Sequence, residues 1–371
     1  MRLGFDAKRA FHNTTGLGNY ARDVLRILAE HGPGHAYLAY SPRPGRADLA
    51  IPGARLEVRG PRGAARLLPA LWRQAGVVRD LVADRLDVFH GLSNELPLGL
   101  ERTSVAGVVT IHDLIFERHP ELYPPIDRRI YRWKARSAAA RARLVIAISA
   151  QTARDLAELY GVPRDRIRVV YQGCSALFRA EAPEARLRTV AARFGLPDGF
   201  VLQVGTIERR KNLLLTVEAL AGLPEVSLVV VGRPTPYARE VEDRVRARGL
   251  DGRVRFLSGV TADELAALYR LAAVVVYPSL IEGFGIPIVE ALVSGTPVVT
   301  TRGGVFPEAG GPGSAYVDPR DPGELRETLA AILADPDRRQ RMRAAGFAHA
   351  ERFGDARIAA DLLRVYEEAR G

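Results

Sequence analysis

At 371 residues the chain is long enough for two domains, and 47% hydrophobic with 26% charged residues is the balance of a soluble globular protein. A single cysteine, Cys174, excludes an internal disulfide framework and fits a reducing cytoplasm, and no apolar run approaches the ~20 residues of a membrane-spanning helix. The net charge of +10 is unevenly spread: residues 1–180 hold 28 Lys and Arg against 17 Asp and Glu, residues 181–371 hold 25 against 26, so an anionic partner is expected at the first half.

In chain order, residues 2–6 read as a first strand rather than as the apolar core of a signal peptide. The loop from Asn13 to Tyr20 follows and opens a helix over about 18–30. Its Gly16 and Gly18 let backbone amides approach a phosphate at a helix end, although a lone Gly-x-Gly is equally a plain turn. Further strands are expected at 36–40, 55–58, 87–90, 104–111, 144–148 and 167–171, and helices at about 64–83, 126–142 and 151–160. Strands alternating with helices argue for a parallel sheet covered on both faces. The 104–111 strand runs into His112 and Asp113, at the edge where open α/β sheets bind ligands. A lone His there is as readily a hydrogen-bonded structural residue. Asn94, after the neighbouring strand, either lines the same pocket or packs.

Residues 177–197 are polar and rich in Ala and Arg, and read as a hinge. The second half repeats the pattern, with strands at 200–204, 227–231, 253–256, 273–277 and 297–300. Its helices fall at about 213–221, 237–248, 262–271 and 287–293, and three more follow Asp318, at 322–334, 338–352 and 356–369.

The loop from Gly205 and Thr206 to Arg209-Arg210-Lys211-Asn212 places three cations at a glycine-bearing strand end. That can neutralise a diphosphate, or form a solvated basic loop. The only other lysines are Lys8 and Lys134, which singles out Lys211. Asn212 can cap the next helix. Gly259-Val260 is another strand-to-helix turn. From Ser279 to Ala291 a strand end, a glycine-hinged turn and a helix start are joined. Gly283 and Gly285 permit positive φ, and Pro287 suits the first helical position. The amides of Gly283, Phe284, Gly285 and Ile286 would then face an anion or a sugar hydroxyl. Glu282 and Glu290 can share one cleft, or merely cap the turn. Asp335-Pro336-Asp337 is a metal-type Asp-x-Asp only in form, since it sits at a helix junction; no His, Cys or carboxylate cluster has metal-ligand spacing.

The pair Glu282 and Glu290 with seven residues between them, Gly205 with Lys211 six residues on, and the glycine loop at 16–18 together resemble the donor site of bacterial family-4 retaining glycosyltransferases. The resemblance spans nearly the whole chain and is strongest over 205–318. It implies the GT-B fold, two Rossmann-like doubly wound α/β domains facing a cleft. These would be an acceptor-side domain over 1–180, a nucleotide-sugar domain over 181–352, and a C-terminal helix over 353–371 crossing back to the first. It implies metal-independent transfer of a sugar, with no cofactor, from a nucleoside-diphosphate sugar to a glycan, lipid-linked or small-molecule acceptor.

By the same resemblance, His112 would touch the donor sugar near the reacting centre, and Lys211 and Arg210 would stabilise the departing diphosphate. Glu282, with the amides of Phe284 and Gly285, would hold sugar hydroxyls, and Glu290 the ribose. Gly16, Gly18, Gly205, Thr206, Gly259, Val260, Gly283 and Ile286 would complete the donor pocket, with Asp113 and Asn94 on the acceptor side. The family has Arg where Thr206 stands, and Arg210 is the replacement. The string from Thr110 to Ile115 is shared with mannosyl- and rhamnosyl-type relatives, which favours GDP-mannose over a UDP-sugar. A sugar-nucleotide epimerase of the same fold would need additional acidic residues that do not stand out. A non-enzymatic nucleotide-sugar-binding paralogue is the other alternative, against which the intact signature argues.

Two basic stretches remain. Residues 62–85 interleave Arg62, Arg66, Arg73, Arg79 and Arg85 with Leu67, Leu68, Leu71 and Trp72, and residues 128–143 carry seven cations. Such stretches are plain surface helices or a peripheral contact with anionic membrane. The expected location is cytoplasmic, with contact at the inner membrane face. No stacking platform of aromatic and basic residues suggests nucleic acid.

Overall fold

The computed structural model describes residues 1–13, 15–43 and 56–371. Thr14 of the glycine loop and Arg55, the expected start of the third strand, lie outside the described residues. The chain divides into two units, Met1–Gly173 with Phe353–Gly371, and Cys174–Arg352.

Unit 1 is built on β1 (Arg2–Asp6), β2 (Ala36–Tyr40), β3 (Leu56–Arg59), β4 (Val88–Gly91), β5 (Ala106–Ile111), β6 (Leu144–Ala147) and β7 (Ile167–Val169). They form a parallel sheet in the order β3-β2-β1-β4-β5-β6-β7. Unit 2 is built on β8 (Val201–Val204), β9 (Leu228–Val231), β10 (Val254–Leu257), β11 (Val274–Tyr277), β12 (Val298–Thr301) and β13 (Ala315–Val317), parallel in the order β10-β9-β8-β11-β12-β13. The central strands are fully buried runs such as Val274–Tyr277, because helices on both faces leave no side for polar residues. In each sheet the chain winds outward from its first strand and returns to the other side with its fourth. That reversal opens a crevice at the C-terminal ends of β1 and β4, and of β8 and β11.

The last helix, Asp355–Arg370, belongs to unit 1. Ile358, Leu362, Val365, Tyr366 and Ala369 recur at helical spacing and join Leu3, Phe5, Val24 and Leu28 in one core cluster. Two expectations give way. Residues 177–197 are no hinge: the helices Ala176–Arg179 and Glu184–Phe194 pack on the Ala262–Leu271 helix through buried Phe178 and Val190, and the chain crosses between units at Gly173–Cys174, not at 180. Residues 64–83 are not one helix. Gly63–Leu67 is a separate 3-10 turn, and Pro69, which suits a first helical position, opens a continuous helix that runs from Pro69–Leu71 through the wider π-type stretch Trp72–Gly76 into Val77–Ala83. No described helix is long and apolar enough to cross a membrane.

Candidate functional site

In unit 2 the crevice between β8 and β11 is walled by the two loops that follow them. The turn Arg209–Lys211 is fixed from beneath: Gln203 Nε2 donates to the Lys211 carbonyl at 3.0 Å, and Thr216 Oγ1 donates to Gln203 Oε1 at 2.7 Å. The Leu280 amide donates to the Arg210 carbonyl at 2.9 Å and ties the two loops together. Asn212 stands at the helix start, as expected, but its side chain does not cap. Its amide donates to the carbonyls of Pro278 (3.1 Å) and Pro319 (2.7 Å), because its backbone is left-handed (φ 56°).

These loops bring Lys211, Arg210 and Glu282 together. Lys211 Nζ lies 2.6 Å from Glu282 Oε1 and donates to the Tyr277 hydroxyl at 2.6 Å; Arg210 Nη1 lies 2.6 Å from Glu282 Oε2. Arg210 also pairs with Glu208 at 2.7 Å. Burial alone would raise the Glu282 carboxyl, but the Lys211 and Arg210 charges overcome it and hold it down to about 2. Burial lowers Lys211 in spite of Glu282, whereas for Arg210 the carboxylates of Glu282 and Glu208 outweigh burial and raise it. The result is a set of charged donors held at a strand edge, each already paired with a carboxylate. Arg209 turns away to pair with Glu240 and lie over the Tyr237 ring.

The loop after β11 ends at Gly285, whose φ of +110° admits no ordinary side chain without strain, and the helix Ile286–Val293 starts there. Pro287 is thus its second residue, not its first. Gly283 is half-buried and Phe284 is buried. Glu290 lies in this helix, and Tyr269 donates to its Oε2 at 2.8 Å. Gly205 and Thr206 are half-buried at the end of β8. Gly259 and Val260 lie after β10, the edge strand two places from β8, where Thr261 and Glu264 form a capping box.

In unit 1, His112 follows β5 and is fully engaged. Its Nε2–H donates to the Leu92 carbonyl at 2.9 Å and its Nδ1 accepts from Gln172 Nε2 at 3.1 Å. Burial pushes it down to about 4, so it is neutral. Asn94 Oδ1 accepts the His112 amide at 3.0 Å and so fixes the strand end that carries His112, while Asn94 itself stays half-buried. Asp113 Oδ1 accepts the Ile115 amide at 3.1 Å. Gly16 and Gly18 open the helix Gly16–His31 for different reasons. A Cβ on Gly18 would lie 1.8 Å from the Asn13 carbonyl oxygen, whereas one on Gly16 meets none of the described residues within 4 Å.

Sequence reasoning missed Tyr277, Tyr269, Glu208 and Gln172. Tyr277 carried a signal, a hydroxyl at the end of an apolar run, and Glu208 lies two residues before its partner Arg210 in the same loop; Tyr269 and Gln172 act across distant segments. It also missed that Glu30, His31 and Asp355 come within metal-ligating distance of one another, from segments too far apart for spacing to show. Arg26 already pairs with Glu30 at 2.9 Å and with Asp355 at 2.8 Å. Asp335 caps its helix by accepting the Arg338 amide at 2.7 Å.

Residues 14–176 match the family described as Glycosyltransferase Family 4, and residues 192–349 the family described as Glycosyl transferases group 1. The chain is 31% identical to O-antigen chain mannosyltransferase B of Escherichia coli over 302 residues, 80% of this chain and 77% of that protein. It is 36% identical to D-inositol 3-phosphate glycosyltransferase of Xylanimonas cellulosilytica over 292 residues, 73% and 68% of the two chains. In fold it is similar to Anabaena Alr3699/HepE in complex with UDP and glucose, with a TM-score of 0.78 at 20% identity over 99% of this chain and 100% of that one. Two doubly wound parallel sheets with these matches define a glycosyltransferase of the GT-B fold. The chain belongs to glycosyltransferase family 4.

Proposed function

We propose that this glycosyltransferase moves mannose, with retention and without a metal, from GDP-mannose bound by unit 2 to an acceptor bound by unit 1. What carries the reading is Glu282 clamped between Lys211 and Arg210 at the crevice of β8 and β11. As the bond to the sugar breaks, charge grows on the diphosphate; Lys211, Arg210 and the amides of Gly283 to Ile286 stabilise it. Of Arg210's two carboxylate partners Glu208 is the more exposed, 37% against 9% for Glu282, so Glu208 is the one a diphosphate displaces. Glu282 and the amides of Phe284 and Gly285 hold the sugar hydroxyls. Glu290, oriented by Tyr269, accepts from the ribose, and Gly205, Thr206, Gly259 and Val260 complete the donor surface. In unit 1, His112 takes the sugar-side role and Gly16 the phosphate-side role.

The mannosyltransferase name of the Escherichia coli relative and the string from Thr110 to Ile115 support mannose as the sugar. Glu290→Ala and Lys211→Ala should each weaken nucleoside-diphosphate binding by about tenfold or more in calorimetry, the value of a charge-assisted hydrogen bond. Unchanged affinity in both variants sinks the site assignment. A thermal-shift screen over nucleotide sugars identifies the base and the sugar.

The enzyme is further proposed to lie at the cytoplasmic face of an anionic membrane. On the Pro125–Arg141 helix, Ile126 (73% exposed), Ile130 and Trp133 (57%) share one face among Arg128, Arg129, Arg132 and Arg136, and Leu67, Leu68 and Leu71 are exposed in the other basic stretch.

A further inference from the structure

Beyond the C-terminal ends of β1 and β2, unit 1 holds a cavity of about 450 Å3 lined by Lys8, His12, Arg43, Arg73, Gln74 and Lys134. Two of the chain's three lysines face it. Lys8 follows β1 and Arg43 follows β2, on the side where a doubly wound sheet takes its ligands.

The charges of this basin do not cancel. Arg73 pairs with Asp6 at 2.5 Å and with Glu95 at 2.6 Å, and Lys134 pairs with the same Glu95 at 3.0 Å. Two carboxylates therefore serve two cations and hold them in place. Lys8 and Arg43 have no ion-pair partner among the described residues, so the described side chains of this wall and their partners carry an excess of two positive charges. Lys8 is held below the usual lysine range, first by desolvation and then by the Arg73 charge beside it. Lys8 and Arg43 are exposed at the rim of the basin, and like charges gathered on one concave wall draw an anion to it. On its far side, Arg73, Gln74 and Lys134 also line a second hollow whose other walls include Trp72, Trp133, Val77 and Leu98. An apolar shelf adjoining a basic basin fits a ligand with an anionic group on an uncharged body.

We propose that this basin binds the phosphate of a phosphorylated acceptor, with Lys8 and Arg43 taking the phosphate oxygens and Arg73 and Lys134 framing them. The inference rests on reading unit 1 as the acceptor side. The phosphate can belong to a free cyclitol or sugar phosphate, or to a lipid phosphate, and the test separates these sources.

The full chain, saturated with GDP or UDP so that the donor site is filled, is titrated by calorimetry with inositol 1-phosphate and, in parallel, with inositol. In the second arm it is floated with phosphatidylcholine vesicles carrying polyprenyl phosphate, polyprenol, or phosphatidylglycerol at equal charge. The expected result is binding of the phosphate-bearing probe over its phosphate-free partner in at least one arm, and at least a tenfold loss in Lys8→Ala/Arg43→Ala. In the vesicle arm that loss must exceed any change with phosphatidylglycerol, which reports surface charge alone. Lys8→Arg/Arg43→Lys, which keeps both charges, should restore binding. The soluble arm identifies a free phosphate, the vesicle arm a lipid one. Equal binding of both members of each pair, no binding in either arm, or unchanged affinity in the Ala variant overturns the proposal. Nucleotide affinity measured on the same proteins keeps the two readings apart. Retained nucleotide binding in Lys211→Ala and Glu290→Ala sinks the donor-site reading, whatever the basin does. Loss of it there, with no phosphate effect at Lys8 and Arg43, sinks only the basin.

Discussion

A carboxylate held between an ammonium and a guanidinium makes stability depend on pH, and Glu282 is such a group. Its folded value of about 2 lies below its ordinary 4.5. The stability it contributes is therefore present above about pH 4.5 and lost as the pH falls through 2, on the order of 3 kcal/mol. Glu282→Gln should be less stable at pH 7 by a similar amount and show a flatter decline below pH 4.5. Urea unfolding at pH 7, 4.5 and 3 measures this, and curves parallel to those of the parent chain count against the buried ion pair. His112 shifts for the opposite chemical reason, burial of a base. Its neutral form is favoured in the fold, so its contribution is complete above about pH 6.5 and lost toward 4. Nitrogen-15 NMR should find the Nε2–H tautomer at pH 7 and a midpoint near 4. His112→Ala should lower turnover more than donor affinity; equal losses would place it away from the reacting centre.

Among the elements, the Asp355–Arg370 helix shows how a distant segment becomes part of a core. Its Tyr366 hydroxyl meets His90 Nδ1 at 2.8 Å, His90 Nε2 meets Thr110 Oγ1 at 2.8 Å, and Thr110 meets the Tyr20 hydroxyl at 2.9 Å. Burial pushes His90 down to about 3, so this chain of hydrogen bonds runs through a neutral ring. Tyr366→Phe leaves one ring nitrogen unsatisfied and should cost unit 1 about 1–3 kcal/mol, read as a lower melting temperature. The glycine loop gives a paired test. Gly18→Ala drives a methyl into the Asn13 carbonyl and should destabilise, while Gly16→Ala meets none of the described residues and should leave the melting temperature unchanged. If Gly16 serves a phosphate, its variant weakens nucleotide binding without that loss. From sequence, the two glycines were alike; only the approach of Asn13 separates them.

At the scale of the molecule, the basic excess of the first half coincides with exposed apolar residues of unit 1. Ile126→Ser/Trp133→Ser should reduce co-sedimentation with phosphatidylglycerol vesicles by about tenfold, leave nucleotide affinity unchanged, and show little effect with phosphatidylcholine. Equal sedimentation of the variant and the parent chain would assign that face to solvent. The two sheets, most of their helices and the chemistry-bearing loops were legible in the residue order, because β-branched runs, helical periodicity and glycine turns are local signals. The sequence signature carried Lys211, Glu282 and Glu290 as members of one pattern. It did not reveal that Lys211 and Glu282, 71 residues apart, share a proton donor and acceptor at 2.6 Å, or that Gln172 reaches His112 across 60 residues. Nor did it show that Leu177 to Pro197 packs as helices of unit 2; the return of the final helix to the first domain was expected, but not which of its residues, Ile358, Leu362, Val365, Tyr366 and Ala369, complete that core. Those outcomes depend on which strands lie side by side, β8 against β11 and β4 against β5, and on which apolar faces remain to be covered. No stretch of neighbouring residues encodes strand order; it emerges only when the whole sheet is assembled.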